Sequence, residues 1–319
     1  MLSTFAIITS VTVRQKLTLA TRINERGKLR SIAEAGVKKA ITMIIPGEDE
    51  FIEYTSLGEY WFDTEAVFKK MPIGDGFCEI SYVDRDIVSN ELITRFGFVD
   101  EERKININIE DDIILRQLLR DGLGFDKIEA QEIAAAIVDW RDEDSQLSIP
   151  LGSAEDREYR SGAFAYEAKD APFQVFDELY LVKGVNKDVV DIIKNYVTIY
   201  GNGKINANTA SREVFYGLGL DKSIIDKIMT FRFGEDGVPG TADDGIFTNP
   251  SSIVPQLSQR THLSPSELAK ISIVADQKLK THSQIFKIQC RAFLANQKIK
   301  MDVTCVADRK GKILFWREN

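Results

Sequence analysis

The chain opens with two kinds of text. "MLSTFAIITSVTV" is apolar apart from Ser and Thr and carries no charge through Val13. The run after it, "RQKLTLATRINERGKLRSIAEAGVKKAITMII", is charged. Its Leu17, Ile23, Leu29, Ile32, Ala33, Val37, Ala40, Ile41 and Ile44 recur mostly at helical spacing. The pattern predicts one helix over 2–45, stopped by Pro46-Gly47. At about 1.5 Å per residue it would run about 66 Å, longer than the edge of an ordinary small domain. The apolar head is shorter than the ~20 residues of a membrane span, and no small-residue cleavage site follows it. Two readings stand. It is either an amphipathic core helix with an apolar start, or the C-terminal half of a membrane helix whose first residues precede this chain. Phe5, Ile7, Ile8, Val11 and Val13 are then the membrane and helix-packing residues. Arg14 and Lys16, immediately after, do not settle an orientation by the charge bias of membrane flanks.

From Phe51 to Ile109 the text is strand-like: "FIEYTSLGEYWFD", "GDGFCEISYVDRD" and "RKININI". In the last, Ile105, Ile107 and Ile109 alternate with Asn106 and Asn108, as in a half-buried strand. Lys-Ile-Asn-x-Asn then recurs at Lys204. Each copy precedes a helical run. Glu110, Asp111 and Asp112 suit the first helix N-terminus, and Asn208 or Thr209 is a candidate cap for the second. Three helix–turn–helix passages follow, around "DGLGFDK", "VKGVNKD" and "GLGLDK". Such Gly turns contact phosphate in helix-hairpin-helix DNA binders. Here Asp126, Asp188 and Asp221 follow the turns and Asn186 replaces one Gly, so they read as packing motifs.

At the C-terminal end, "AKISIVADQ", "QIFKIQCRAFL", "KIKMDVTCVADR" and "KILFWREN" read as successive strands, with "LANQK" and "DRKGK" as turns. Cys290 and Cys305 fall on adjacent strands. They either face each other, permitting a disulfide in an oxidising compartment, or stay buried free thiols, because one residue of slip separates the faces.

Composition adds exclusions. The 319 residues are 44% hydrophobic and 28% charged, enough for two domains with cores. The formal charge of −8 argues against a duplex-binding protein. Three cysteines and two histidines, with no metal-finger spacing, phosphate loop or nucleophile elbow, give no reason to expect an enzyme.

Acidic residues cluster twice. "DWRDEDSQ" and "GSAEDREY" supply Asp139, Asp142, Glu143, Asp144, Glu155 and Asp156; "GEDGVPGTADDG" supplies Glu235, Asp236, Asp243 and Asp244. Neither has the EF-hand register. Solvated loops and a hard cation with oxygen ligands both fit the spacing, calcium better than magnesium, which keeps its waters.

Taken in order, "IAEAGVKKAI", "DEERKININ", "IVDWRDED", "LYLVKGV", "GKINANTAS", "DGVPGTADDGIF" and "FKIQCRAFL…ILFWRE" resemble the type II secretion minor pseudopilin K family, also called general secretion pathway protein K. The resemblance covers nearly the whole chain, although "KINANTAS" also occurs in competence-type DNA receptors. It implies an α+β fold: a long pilin-like N-terminal helix and a ferredoxin-like or pilin-like α/β domain. An all-α domain with helix-hairpin-helix-like units is inserted into it. The expected divisions are the helix at 1–45, the first part of the α/β domain at 46–109, the helical insert at 110–203, and the second part at 204–319 with an Asp/Gly-rich loop at 234–250. The first Lys-Ile-Asn-x-Asn would be the strand leaving the sheet for the insert, the second the strand returning. Family members also carry a leader cut by the prepilin peptidase, expected N-terminal to this chain.

The resemblance further implies a tip subunit of the pseudopilus that helps to initiate and cap its assembly for export across the outer membrane. It would be a single-pass protein of the bacterial inner membrane with its globular part in the periplasm. Its partners would be the I- and J-type minor pseudopilins and the major pseudopilin, with no nucleic acid. It also implies calcium, held by Asp139, Asp142, Asp144 and Glu155 in one group and by Asp236, Asp243 and Asp244 in the other. The alternative from another class is a membrane-tethered helix-hairpin-helix DNA-uptake protein; a third is a component of a related type IV pilus-like system.

Overall fold

The computed structural model describes residues 2–46, 53–85, 91–144, 146–149, 152–161, 165–295 and 299–319. In chain order its elements are α1 (Leu2–Ile44), α2 (Glu65–Phe68), β1 (Met71–Ile73), β2 (Gly76–Ile80), β3 (Tyr82–Arg85), β4 (Leu92–Arg95), β5 (Val99–Asp100) and β6 (Ile105–Asn106). Then come α3 (Asp112–Gln117), α4 (Lys127–Arg141), α5 (Asp156–Arg160), α6 (Lys187–Ile193), β7 (Val197–Thr198), β8 (Ile205–Asn206), α7 (Arg212–Gly217) and α8 (Lys222–Arg232). The chain closes with α9 (Ile253–Arg260), α10 (Pro265–Lys278), β9 (Leu279–Lys280), β10 (Ile285–Leu294), β11 (Lys300–Asp308) and β12 (Ile313–Glu318).

The main sheet runs β1-β2-β10-β11-β12, all antiparallel. β5 joins β10 beside β2, with Phe286 opposite Asp100. The strand expected in "QIFKIQCRAFL" forms as β10, and it alternates: Phe286, Ile288, Cys290, Ala292 and Leu294 are buried and the residues between them half-buried. These apolar side chains meet the second half of α1. Leu29, Ile32, Ala33, Val37, Ala40, Ile41 and Ile44 form one buried stripe at i, i+3, i+4 spacing, which holds the helix on the sheet. Gly36 lies in that stripe, and a Cβ there would collide with Cys78 Sγ on β2. The helix needs this Gly for close approach, which outweighs its propensity cost of about 1 kcal/mol against Ala.

Several sequence expectations are corrected. "AKISIVADQ" is not a strand but part of α10. Its cap decides this: Ser264 Oγ accepts from Glu267 N, and the Glu267 carboxylate accepts from Ser264 N at 2.8 Å, with Pro265 at the first helical position. No strand forms in "FIEYTSLGEYWFD" among its described residues; Phe51 and Ile52 lie outside them. Trp61 and Phe62 bury there from irregular backbone instead. The turn in "LANQK" lies partly outside the described residues, whereas "DRKGK" turns as expected, with Gly311 N donating to Asp308 O.

The Lys-Ile-Asn-x-Asn copies do something other than leave and rejoin the main sheet. Each forms a strand of two residues that pairs in parallel with the end of its own helix-rich unit. β6 pairs with β7, and β8 with β9. The strands stop early because the first Asn folds back. Asn106 Oδ1 accepts from Asn108 N at 2.9 Å, and Asn206 Oδ1 from Asn208 N at 3.0 Å. The second Asn then grips a distant loop by both ends of its amide. Asn108 exchanges two hydrogen bonds with the Phe173 backbone, and Asn208 does the same with Phe247. Ile109, expected to share a strand face, is exposed. The cap of α7 is Ser211, not Asn208 or Thr209, whose side chains are engaged elsewhere.

The polar stretch between β5 and β6 ties the two units to the sheet. Buried Asp100 accepts from Thr209 Oγ1 and Ser283 Oγ, both at 2.6 Å, and from Glu102 N at 2.8 Å. Glu101 pairs with Lys104 at 2.6 Å and accepts from Thr198 in β7 at 2.7 Å. Glu102 pairs with Lys280 in β9 at 2.6 Å. Such buried charges are tolerable only because each has partners.

Candidate metal centre and assembly surface

α4 ends in the first acidic group. Asp139 is fully buried and accepts from Ser148 N at 3.1 Å. Asp142 caps the C-terminal end of α4, and Glu155 caps the start of α5. Asp142 Oδ1 and Glu155 Oε1 are buried with no hydrogen-bond partner among the described residues. Burial first, then the charges of Asp139, Asp144 and Asp170, pushes the Asp142 carboxyl up to about 6. Burial, then Asp139, Asp142, Asp170 and Asp144, pushes Glu155 up to about 7. The fold thus draws Asp139, Asp142, Asp144 and Glu155 into one field of mutual repulsion.

Asp170 belongs to that field and was missed in the sequence. It stands alone in "EAKDAPF", far from the other carboxylates in sequence. Asp170 N donates to Trp140 O at 3.1 Å, which brings it beside the end of α4. Its backbone is left-handed, at φ 50°. Glu143 is exposed, and Asp156 is engaged by Arg160 and Ala168 N, so neither joins the group.

The second group lies in the loop after α8. Asp236, Asp243 and Asp244 each bring one oxygen within 4.8 Å of the others. The loop wraps as its glycines suggested. Asp243 Oδ2 accepts from Glu235 N at 2.6 Å, and Asp244 Oδ2 from Gly240 N at 2.6 Å. Hydrogen bonds from Thr241 and from the amides of Glu235 and Asp236 hold the Asp243 carboxyl below its ordinary range, while burial raises that of Asp244. Both groups offer oxygen donors only, the set that suits a hard cation such as calcium. Among the described residues only this second group brings three carboxylate oxygens so close together; in the first, two buried oxygens are left unpaired, which is costly unless something positive meets them.

The N-terminal part of α1 is the other candidate surface. Ile7, Ile8, Val11, Val13, Leu17, Leu19 and Ile23 are all exposed, Ile7 at 64%. The side chain of Phe5 lies outside the described residues. No described helix is long and apolar enough to cross a membrane. A stretch of about 40 Å at about 1.5 Å per residue therefore projects before the helix meets the sheet.

The Gly turns are alike. Gly124, Gly184 and Gly219 take φ of 77°, 79° and 76°. The residues that start the next helices are Asp126, Asn186 and Asp221. Asp126 accepts from Ile128 N and Asn186 from Val189 N, so these side chains occupy amides a phosphate would need.

Of the two arrangements open to Cys290 and Cys305, both are free, buried thiols. Cys290 stands opposite Val303, and Cys305 opposite Ile288. They share a face two residues out of register, and Cys290 instead lies against Cys78 of β2.

Residues 100–202 match the family model of type II secretion system protein K. Among solved structures, a chain of the GspK–GspI–GspJ complex from the enterotoxigenic Escherichia coli type 2 secretion system has the same fold. The TM-score is 0.62 at 14% identity, over 96% of this chain and 99% of that one. No curated protein matches the chain. The resemblance read from the ordered motifs, and a mixed α+β fold with a long N-terminal helix, both stand.

Proposed function

We propose that this chain, which over residues 100–202 matches the family model of type II secretion system protein K, works as the minor pseudopilin at the tip of a pseudopilus. There it helps to initiate and cap assembly for protein export. The observation that carries the reading is the division of α1. Its second half is buried on the sheet, and its first half offers apolar side chains with nothing among the described residues to cover them. Such a helix is built to pack against like helices, with its apolar head in the inner membrane and the globular part in the periplasm. The solved complex contains GspI and GspJ; we assign to this chain I- and J-type partners and the major pseudopilin. The test is co-purification from membranes of the chain with the I- and J-type pseudopilins of its own system. A stable ternary complex is expected; no association with either would overturn the assignment.

Calcium belongs to the same proposal. Asp139, Asp142, Asp144 and Glu155, with Asp170, would hold one ion, and Asp236, Asp243 and Asp244 another. A bound divalent ion supplies positive charge that turns repelling carboxylates into a cross-link. The chain's own part is to bring the ends of α4 and α5 and the Asp170 loop to one place. The helix-rich units would then act as a rigid, periplasmic inserted domain.

A further inference from the structure

A cavity of about 300 Å³ opens where the β3–β4 hairpin, the start of the first unit and the end of α8 meet. Among the described residues its lining holds five arginines and two carboxylates, in a protein whose net charge is −8. Most of these arginines are neutralised. Arg103 makes a bidentate pair with Asp84, both bonds at 3.2 Å, and Arg95 pairs with Asp63 at 2.9 Å. Arg232 is different. It is 3% exposed and makes no ion pair among the described residues. One Nη donates to Ala210 O and touches Met229 Sδ, its guanidinium lies 5.0 Å over the Phe233 ring, and its Nε has no partner. Burial pulls it down to about 9. Asp244 opposes this and Arg103 adds to it. On the same lining, Ser211 Oγ is also buried without a partner.

We propose that this cavity is a binding site for a small oxyanion of the phosphate class, held by the Arg232 guanidinium and the Ser211 hydroxyl with Arg103 beside them. A buried guanidinium is strongly favoured by a fixed anion, because the attraction grows as water is excluded. Arg supplies forked donors that match the oxygens of such an ion. Leu57, Phe62 and Phe233 close the walls and keep the charges undiluted. A bound anion would tie α8 to the segments around Arg103 and Ser211, three pieces distant in sequence.

The test is calorimetric titration of the full chain with inorganic phosphate, and separately with acetate, at constant ionic strength. Saturable binding of one phosphate per chain is expected, with sulfate competing. Saturation by acetate with no phosphate binding would instead assign the site to a carboxylate and overturn the proposal. Arg232→Gln should weaken phosphate more than about tenfold, as loss of a charged hydrogen-bond donor does. Arg260→Gln, outside the lining, should leave it unchanged. Should Arg232→Gln fail to fold, Ser211→Ala serves, with a loss of about threefold or more expected for a neutral donor. No saturable phosphate binding by the wild-type chain, or equal affinity in the folded variants, would overturn the site.

Discussion

Asn108 and Phe173 are joined by both ends of one amide: Asn108 Oδ1 accepts from Phe173 N at 2.7 Å, and Asn108 Nδ2 donates to Phe173 O at 2.9 Å. Asn208 and Phe247 repeat the arrangement, with both bonds at 2.9 Å. The repeated motif is therefore a staple that closes a helix-rich unit.

Removing a staple should be costly. Asn108→Ala deletes both bonds and the one from Nδ2 to Ile199 O at 3.3 Å, and takes this partner from three backbone groups, for a loss of about 2–4 kcal/mol. Asn208, which is more deeply buried, should lose more. Urea denaturation of the full chain checks this. A loss below about 0.5 kcal/mol in both variants, the size of an ordinary surface change, would refute the staple.

Chelation should make stability depend on pH in a particular direction. Asp142 and Glu155 are raised in the folded protein, to about 6 and about 7, from ordinary values of about 4. Their stabilising contribution is present below pH ~4 and is lost as pH rises through those folded values. Without metal, then, this part of the stability falls between about pH 4 and 7. Calcium, which binds the ionised forms, should act mainly above pH 6. At a hundredfold excess over Kd it adds about 2.7 kcal/mol. Melting curves with calcium and with chelator at pH 5 and 7.5 read this out. Asp243→Asn with Asp244→Asn should shrink the calcium shift and leave the sheet folded. Identical melting in calcium and chelator at pH 7.5 would return both groups to solvated loops.

The contact between α1 and β2 leaves no room for a side chain at position 36. Gly36→Ala should destabilise by about 1–3 kcal/mol, the range for overpacking, despite Ala being the better helix former. Thermal melting decides; a stabilised variant would show that the helix can lift from the sheet freely.

What was legible in the sequence was what is local and periodic. The stripe from Leu29 to Ile44 shows its buried face by spacing alone, although Leu17 and Ile23, expected on the same face, are exposed. The resemblance lay in the order of short motifs. At "AKISIVADQ" the Ser264–Glu267 capping box, which is visible in the sequence, favours the helix that forms over the expected strand. The staples were not legible, since Phe173 and Phe247 bear no mark of the Asn that holds them. Asp170 and Arg232 were hidden for the same reason. Their roles arise from segments that only the tertiary fold brings together, and neither stands in a pattern of its own.

The central claim is that the exposed first half of α1 builds a secretion pseudopilus. Its most direct test is export of secreted enzymes by cells that lack this chain, complemented with the wild type or with Ile7→Lys and Val11→Lys together. Charge within a bilayer costs about 2.5–3.5 kcal/mol per residue on insertion scales. The account predicts that wild type restores export, and that the double variant, present at equal level and with an unchanged melting temperature, restores none. Full export by the double variant would contradict it.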